Sequence, residues 1–100
     1  MIFGVDVSNH QTHFDFEAAV REGFDFAFIK SSQDDNFKDR MLGRHLANAR
    51  AAGLLVAAYH YQGTGPVERQ VETIRAMVRP YDGVPVILDV EEGSGGVDIT

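Results

Sequence analysis

The sequence predicts an α/β fold in which four parallel strands alternate with helices. Short apolar runs, such as residues 26–29 and 86–88, alternate with longer segments whose apolar residues recur every three or four positions. The connections are short, and this alternation is typical of βαβ units. A complete eight-stranded β/α barrel takes about 200–250 residues. The 100 residues of this chain therefore predict a parallel (βα)4 half of a TIM-like β/α barrel.

The first half of the chain predicts strand, helix, strand and helix. These elements span residues 2–7, 14–22, 24–31 and about 37–52. Asp15 is placed to cap the first helix, and Gly23 and Gly53 are placed to end the two helices. The buried stripe of the first helix is predicted to comprise Phe16, Ala19 and Val20. On the second helix, His45 falls within the apolar stripe and is predicted to pack in the core.

The second half repeats the pattern. A strand is predicted over residues 54–61 and a helix from Pro66, which suits a first helical turn. The buried stripe of this helix is predicted to comprise Val67, Val71, Ile74 and Val78. The fourth strand begins near residue 84, and its continuous apolar run predicts burial on both faces. Residues 97–100 are predicted to begin a further helix.

Composition excludes several kinds of protein. The net charge of −6 argues against nucleic acid or an anionic membrane surface as a partner. The chain has no cysteine, so disulfide and thiolate chemistry are excluded. No stretch approaches the roughly 18–20 apolar residues of a membrane span. The N-terminus lacks the basic region of a signal peptide, which predicts synthesis in the cytoplasm.

Two acids follow the fourth strand. Asp89 and Glu91 lie two positions apart, so the alternation of side chains predicts that both face the same side. Their Cα atoms should be about 6.5–7 Å apart, which suits the separation of about 5–9.5 Å between the paired carboxyls of glycoside hydrolases. A solvated acidic loop is the alternative interpretation.

Polar residues also end the other predicted strands. Asp6, Lys30 and His60 lie at strand C-termini, which meet at one edge of a parallel sheet. We expect Lys30 either to pair with Asp6 or to contact a substrate. His60 and Tyr61 are expected to line a groove at the same edge of the sheet. Their alternative role is a half-buried strand end satisfied by backbone hydrogen bonds.

Several segments resemble the glycoside hydrolase family 25 lysozymes, or Chalaropsis-type muramidases. They are residues 4–8, 14–16, 23–30, 47–54, 58–61 and 85–91, in the order and spacing of that family. The last segment, which contains Asp89 and Glu91, resembles the Asp-x-Glu strand of the family. The resemblance covers nearly all of the chain.

The resemblance implies hydrolysis of the β-1,4 bond between N-acetylmuramic acid and N-acetylglucosamine in bacterial peptidoglycan, without a cofactor. It implies that Glu91 is the general acid/base, that Asp89 stabilises the intermediate and that Asp6 lines the same groove. It further implies that residues 1–100 are the N-terminal portion of one catalytic domain whose C-terminal half is absent. A phage endolysin released through a holin would fit the expected lack of a signal peptide.

The chain departs from the family pattern after the second predicted strand. The family often reads Lys-Ala-Thr-Glu-Gly there, whereas this chain has an amide, Gln33, in place of the acid. The family also contributes another active-site aspartate and substrate-binding aromatics from its C-terminal half.

Two other interpretations remain open at the level of sequence. The first is a metal-dependent barrel hydrolase that uses His10, His13 and His60 together with Asp6 and Asp89. The second is a non-catalytic wall-binding fragment, or a half-barrel that pairs with itself or with a complementing chain through its open sheet edges.

Overall fold

The computed structural model describes residues 2–91 as one sheet with three helices. The elements are β1 (Gly4–Val7), α1 (Phe16–Arg21), β2 (Phe26–Gln33), β3 (Phe37–Lys38), α2 (Leu42–Ala51), β4 (Leu55–Tyr61), α3 (Val67–Val78) and β5 (Val86–Asp89). The helix predicted at residues 97–100 lies outside the described residues. Within residues 2–91, no helix has the length and apolarity that crossing a membrane requires.

The order of the parallel strands is β1-β2-β4-β5, which is also their order along the chain. Each crossover therefore moves one strand further in the same direction. Right-handed crossovers of this kind place their helices on one face of the sheet. This arrangement is that of a β/α barrel, not of an open sheet with helices on both faces, and the predicted (βα)4 fold is confirmed.

The hydrophobic core lies between the sheet and α2. Alternate residues of the strands face the helices, and they pack against one stripe of α2. The core comprises Val7, Ala27, Ile29 and Ala58 from the sheet and Leu42, Leu46 and Ala49 from α2, all at most 2% exposed. Since every second strand residue is committed to this core, the remaining residues of each strand face the opposite side.

The predicted helix ends are largely confirmed. Asp15 caps α1, because its Oδ1 accepts a hydrogen bond of 2.9 Å from the Ala18 amide. Gly23 and Gly53 follow α1 and α2 with φ of +95° and +93°, a conformation that glycine adopts without strain. The predicted burial of Val20 is wrong, since this side chain is 39% exposed at the rim of the short helix.

His45 is buried within the stripe of α2, as predicted. Its Nε2 atom lies 3.1 Å from the carbonyl oxygen of Ser8, and its ring packs edge-on against Phe16. The hydrogen bond satisfies a polar ring in an apolar setting and ties α2 to the end of β1.

The second helix begins five residues later than predicted. Phe37 and Lys38 form the short strand β3, which pairs antiparallel with Gln33 and Ser32 of β2. Helical burial begins only at Met41 and Leu42. The backbone of residues 37 and 38 lies beside the end of β2. Hydrogen-bonded pairing with this strand outweighs the weak helical pattern of the two residues.

The buried face of α3 differs in part from the prediction: Ile74 and Val78 of the predicted stripe are half-buried, but the other two residues are not. Val67 and Val71 are 64% and 37% exposed, whereas Gln70 and Thr73 are buried. The polar pair faces the loops beneath the helix, where the Thr73 hydroxyl donates to the Asp35 carbonyl at 2.8 Å. Hydrogen bonds to loop backbone, which periodicity does not reveal, determine the orientation of the helix.

Strand β5 is not buried on both faces, contrary to the prediction. Within the described chain it pairs with β4 alone, and Val86 and Leu88 are 41% and 55% exposed. It is therefore an edge strand with an apolar outer face in residues 2–91.

The packing of α2 on the sheet makes a specific prediction for stability. We expect Leu46→Ala to lower the free energy of unfolding by about 2–5 kcal/mol, because it leaves a cavity in the core. Leu55→Ala is the matched control: Leu55 is 75% exposed, whereas Leu46 is 2% exposed, so a change within about 0.5 kcal/mol is expected. Urea unfolding followed by circular dichroism measures both, and equal losses would contradict the assigned core.

Candidate active site

The face of the sheet opposite the helices forms a pocket of about 710 Å³. The register of the sheet places pocket residues of neighbouring strands side by side in rows across the strands. Lys30 lies beside Tyr59, and Tyr61 lies beside Asp89. Asp6 of β1 and Glu91, just beyond β5, also line the pocket. It therefore opens at the C-terminal ends of the strands, where β/α barrels carry their active sites.

Three acids meet in this pocket, and all three come from the predicted set. Asp89 hydrogen-bonds the Glu91 carboxyl, and this bond together with the charge of Asp89 raises the pKa of Glu91. Partial desolvation and the more distant charge of Asp6 act in the same direction. Two adjacent carboxyls cannot easily ionise together, which is why the pKa of Glu91 lies above its ordinary value.

A β-bulge brings Gln33 to the face of the sheet that carries Lys30. The register between β2 and β4 shifts between Lys30 and Ser32. The extra residue allows Lys30 and Gln33 to share the pocket face, and Lys30 Nζ donates to Gln33 Oε1 at 2.6 Å. The partner is thus the side-chain amide of Gln33, not Asp6 as one of our alternatives expected.

The Lys30 ammonium sits in a partly desolvated setting. Its Nζ lies 5.0 Å from the ring centroid of Phe37 and 5.5 Å from that of Tyr61, over both rings. Burial lowers the pKa of Lys30, and the charges of Asp39 and Asp89 oppose this effect without overcoming it. The result is a cation held against two aromatic faces in an otherwise acidic pocket.

Tyr59 is a pocket residue that the sequence interpretation missed. It lies in the row of Lys30, two positions before Tyr61, and both tyrosines line the pocket. Burial raises the pKa of Tyr59 to about 12, and the surrounding carboxylates add to the effect. The period of two along β4 would have identified it, because residues 59 and 61 must share a face.

The same alternation makes the prediction for His60 wrong. Its side chain points to the helix side of the sheet, is 0% exposed and does not line the pocket. Nδ1 lies 2.8 Å from Ser32 Oγ, and Nε2 lies 2.9 Å from Gln70 Oε1. The Gln70 amide group in turn donates to the carbonyls of Gly63 and Gly65 at 3.1 and 2.8 Å.

The histidines do not converge. His10 lines the pocket together with Ser8, His13 is exposed and does not line it, and His60 lies on the other face of the sheet. In the described part of the chain, no group of three or more His, Cys, Asp or Glu side chains is arranged to hold a metal ion.

Comparison with known proteins connects this pocket to a family. The family model described as glycosyl hydrolases family 25 matches residues 5–98. The chain belongs to this family. The matched residues include most of β1, which carries Asp6, and all of β5, which ends at Asp89.

Individual relatives agree with the family 25 assignment. The chain is 28% identical to lysozyme M1 of Streptomyces globisporus over 93% of its own length. The structure of a family 25 glycosyl hydrolase from Bacillus anthracis is 31% identical and superposes with a TM-score of 0.82 over 92% of this chain. The catalytic domain of an endolysin from a bacteriophage of Listeria monocytogenes shares the fold, with a TM-score of 0.72 at 23% identity over 92% of this chain and 48% of the endolysin domain.

The chain spans only part of these family 25 proteins. It covers 34% of the Streptomyces globisporus lysozyme and 43% of the Bacillus anthracis structure.

The effect of Asp89 on the pKa of Glu91 can be measured directly by NMR. In the chain labelled with ¹³C at its side-chain carboxyls, we expect the pKa of Glu91 to exceed that of exposed glutamates such as Glu72. Asp89→Asn should lower the pKa of Glu91, because it removes both the negative charge and the proton-sharing partner. Asp82→Asn, at an exposed turn, is the control and should leave it unchanged. A Glu91 pKa unaffected by Asp89→Asn would contradict the pairing.

Proposed function

We propose that this chain carries the acidic half of a lysozyme active site, which cleaves the β-1,4 bond between N-acetylmuramic acid and N-acetylglucosamine in peptidoglycan. The observation that carries the proposal is the convergence of Asp6, Asp89 and Glu91 in one pocket at the strand ends, in a chain that belongs to glycosyl hydrolases family 25. Glycoside hydrolysis needs one protonated and one ionised carboxyl at the scissile bond, and the raised pKa of Glu91 favours this residue as the protonated one.

In the proposed mechanism Glu91 donates its proton to the glycosidic oxygen as the bond breaks. The ionised Asp89 stabilises the positive charge that develops on the sugar ring, and Asp6 adds negative charge from the opposite side of the pocket. After the leaving sugar departs, Glu91 is ionised and can accept a proton from the attacking water. The role of Glu91 as proton donor depends on its raised pKa, and the neighbouring Asp89 is the largest cause of this rise.

The remaining pocket residues suit a glycan strand. Tyr61 and Tyr59 offer aromatic surface to sugar rings, and Lys30 offers a positive charge to a carboxylate. The substrate we propose is therefore the peptidoglycan glycan strand, reached in the cell wall after synthesis in the cytoplasm and holin-type release or lysis. Membership of family 25 and the relation to a Streptomyces lysozyme support a substrate in the cell wall.

Replacement of the proposed acid tests the mechanism. The chain would be joined to the part of the Bacillus anthracis relative that it does not cover, and release of reducing ends from purified peptidoglycan measured. We expect Glu91→Gln to lower the rate by about 100-fold or more, because the leaving oxygen then lacks a proton donor. Glu72→Gln, on the exposed side of α3, should keep full activity. Full activity of Glu91→Gln would rule out Glu91 as the acid.

A second candidate is a half-barrel that functions only with a second chain. The exposed apolar face of β5, with Val86, Leu88 and Val90 at 41–55% exposure, favours it, because an uncovered strand edge invites pairing. On this hypothesis the isolated chain should associate with itself or a complementing chain, or bind peptidoglycan without cleaving it.

Sedimentation velocity combined with the reducing-end assay separates the two candidates. A concentration-dependent species heavier than the 11.0 kDa chain, or wall binding without cleavage, would support the second candidate. A compact monomer that cleaves peptidoglycan would contradict it.

A further inference from the structure

Asp34 has an unusual backbone conformation just after β2. Its φ is +52°, and within residues 2–91 it is the single non-glycine residue whose φ is positive. The left-handed region is sparsely populated by residues that carry a side chain, and such a conformation persists where the surrounding contacts hold it. The contacts of Asp34 therefore explain why the turn keeps this conformation.

These contacts join the end of β2 to the loop between β4 and α3, residues 62–65. The Asp34 amide donates to the Tyr61 carbonyl at 3.0 Å. The Asp34 Oδ1 atom accepts from the Gly65 amide at 2.9 Å. One residue thus holds this loop at both of its ends.

Gly63 and Gly65 leave room for the Asp34 side chain. Neither glycine has a positive φ, so their backbone conformation does not require glycine. A Cβ atom added at either position would collide with the Asp34 side chain. At Gly63 the three nearest atoms all belong to Asp34, whereas Asp35 also crowds the Cβ position of Gly65. The close approach of one carboxylate therefore explains the two glycines.

Helix α3 holds the carbonyl groups of the same loop. Gln70 Nε2 donates to the carbonyls of Gly63 and Gly65 at 3.1 and 2.8 Å. The Thr73 hydroxyl donates to the Asp35 carbonyl at 2.8 Å, which fixes the turn after β2. The backbone of the loop thus has side-chain partners from two directions, α3 and the end of β2.

The loop supports one of the candidate catalytic carboxylates. The Gln62 amide donates to the Asp89 carbonyl at 2.9 Å, directly after the pairing of Tyr61 with Asp89. In the described chain β5 pairs with β4 alone. The backbone of Asp89, from which the chain continues to Glu91, is therefore held at the start of this loop.

We propose that Asp34 is a positioning residue: by holding the loop of residues 62–65 against the end of β2, it fixes the end of β5 that carries Asp89. Asp34 does not line the pocket, so it acts through Gln62 and the backbone of Asp89. The effect on the loop rests on the contacts, whereas the effect on catalysis rests on the proposed lysozyme function.

Amide hydrogen exchange in the 100-residue chain tests the effect on the loop. Asp34→Gly removes the carboxylate, while the turn can still form because glycine adopts a positive φ without strain. We expect the amides of Gln62 and Gly65 to exchange about 10-fold faster in this variant. Asp34→Asn keeps an oxygen acceptor and tolerates the left-handed conformation, so it should keep most of the protection.

Asp25→Gly is the matched control for the exchange experiment. Asp25 Oδ2 also accepts from a backbone amide, that of Phe3 at 3.2 Å, but before the N-terminal ends of β1 and β2. The exchange of the Gln62 amide should not change in this variant. Unchanged exchange of Gln62 in folded Asp34→Gly would overturn the proposal, and so would an equal loss of protection in Asp34→Asn.

A double-mutant cycle with Gly63 tests the contact itself. The methyl group of Gly63→Ala collides with Asp34, so this variant should have a lower urea midpoint than the unchanged chain. The loss should be much smaller when Asp34→Gly is also present, because the colliding side chain is then absent. Equal losses in both backgrounds would contradict the contact. If Asp34→Gly does not fold, Gly63→Ala takes its place in the exchange experiment, since it displaces the same carboxylate.

Peptidoglycan cleavage by the joined protein described above tests the effect on catalysis. We expect Asp34→Gly to lower kcat by about 10-fold or more with little change in KM, because a displaced Asp89 stabilises the transition state less well. Asp34→Asn should restore kcat. Unchanged kcat in Asp34→Gly, or a fall in kcat matched by a loss of folded protein in circular dichroism, would overturn the positioning role. If the joined protein without these substitutions fails to cleave peptidoglycan, the lysozyme proposal is refuted and the exchange result stands.

Discussion

The alternation of side chains across one parallel sheet is the constraint on which the rest of this structure depends. Val7, Ala27, Ile29 and Ala58 must face the helices to form a core. Their neighbours in sequence are then forced to the other face, whether or not burial there is favourable. The residues so displaced include Asp6, Phe28, Lys30 and Tyr59, which form the floor of the pocket. Core packing and the candidate active site are therefore two results of one periodicity.

The same constraint determines how much the sequence reveals. The strands and the acids at their ends are predictable, because an apolar run that breaks into carboxylates is typical of a strand that ends at the open edge of an α/β sheet. The prediction for His60 is wrong because residue type and proximity to Tyr61 favour the pocket, although the period of two assigns it to the other face. The strand β3 and the buried face of α3 were not predictable from local pattern, because contacts distant in sequence determine both: pairing with the end of β2, and hydrogen bonds to loop carbonyls.

The electrostatics of the pocket required the structure for a related reason. Sequence spacing places Asp89 and Glu91 on one side but does not say how strongly Asp89 raises the pKa of Glu91, which depends on the path of the chain after β5. Likewise, the bulge at Ser31 is invisible in the sequence, yet without it Gln33 and Lys30 would occupy opposite faces. A shift of one residue in register is enough to decide whether the lysine has an amide partner or none.

The buried hydrogen-bonded chain of Ser32, His60 and Gln70 constrains the substitutions that these three positions can accept. The Gln70 amide hydrogens are committed to Gly63 and Gly65, so its oxygen faces the ring and requires the proton on His60 Nε2. Nδ1 must then accept from the Ser32 hydroxyl. Ser32 on β2 and Gln70 on α3 together fix the tautomer of His60. Replacing any one of the three side chains leaves a buried hydrogen-bond donor or acceptor without a partner. These three positions are consequently expected to vary together among homologues.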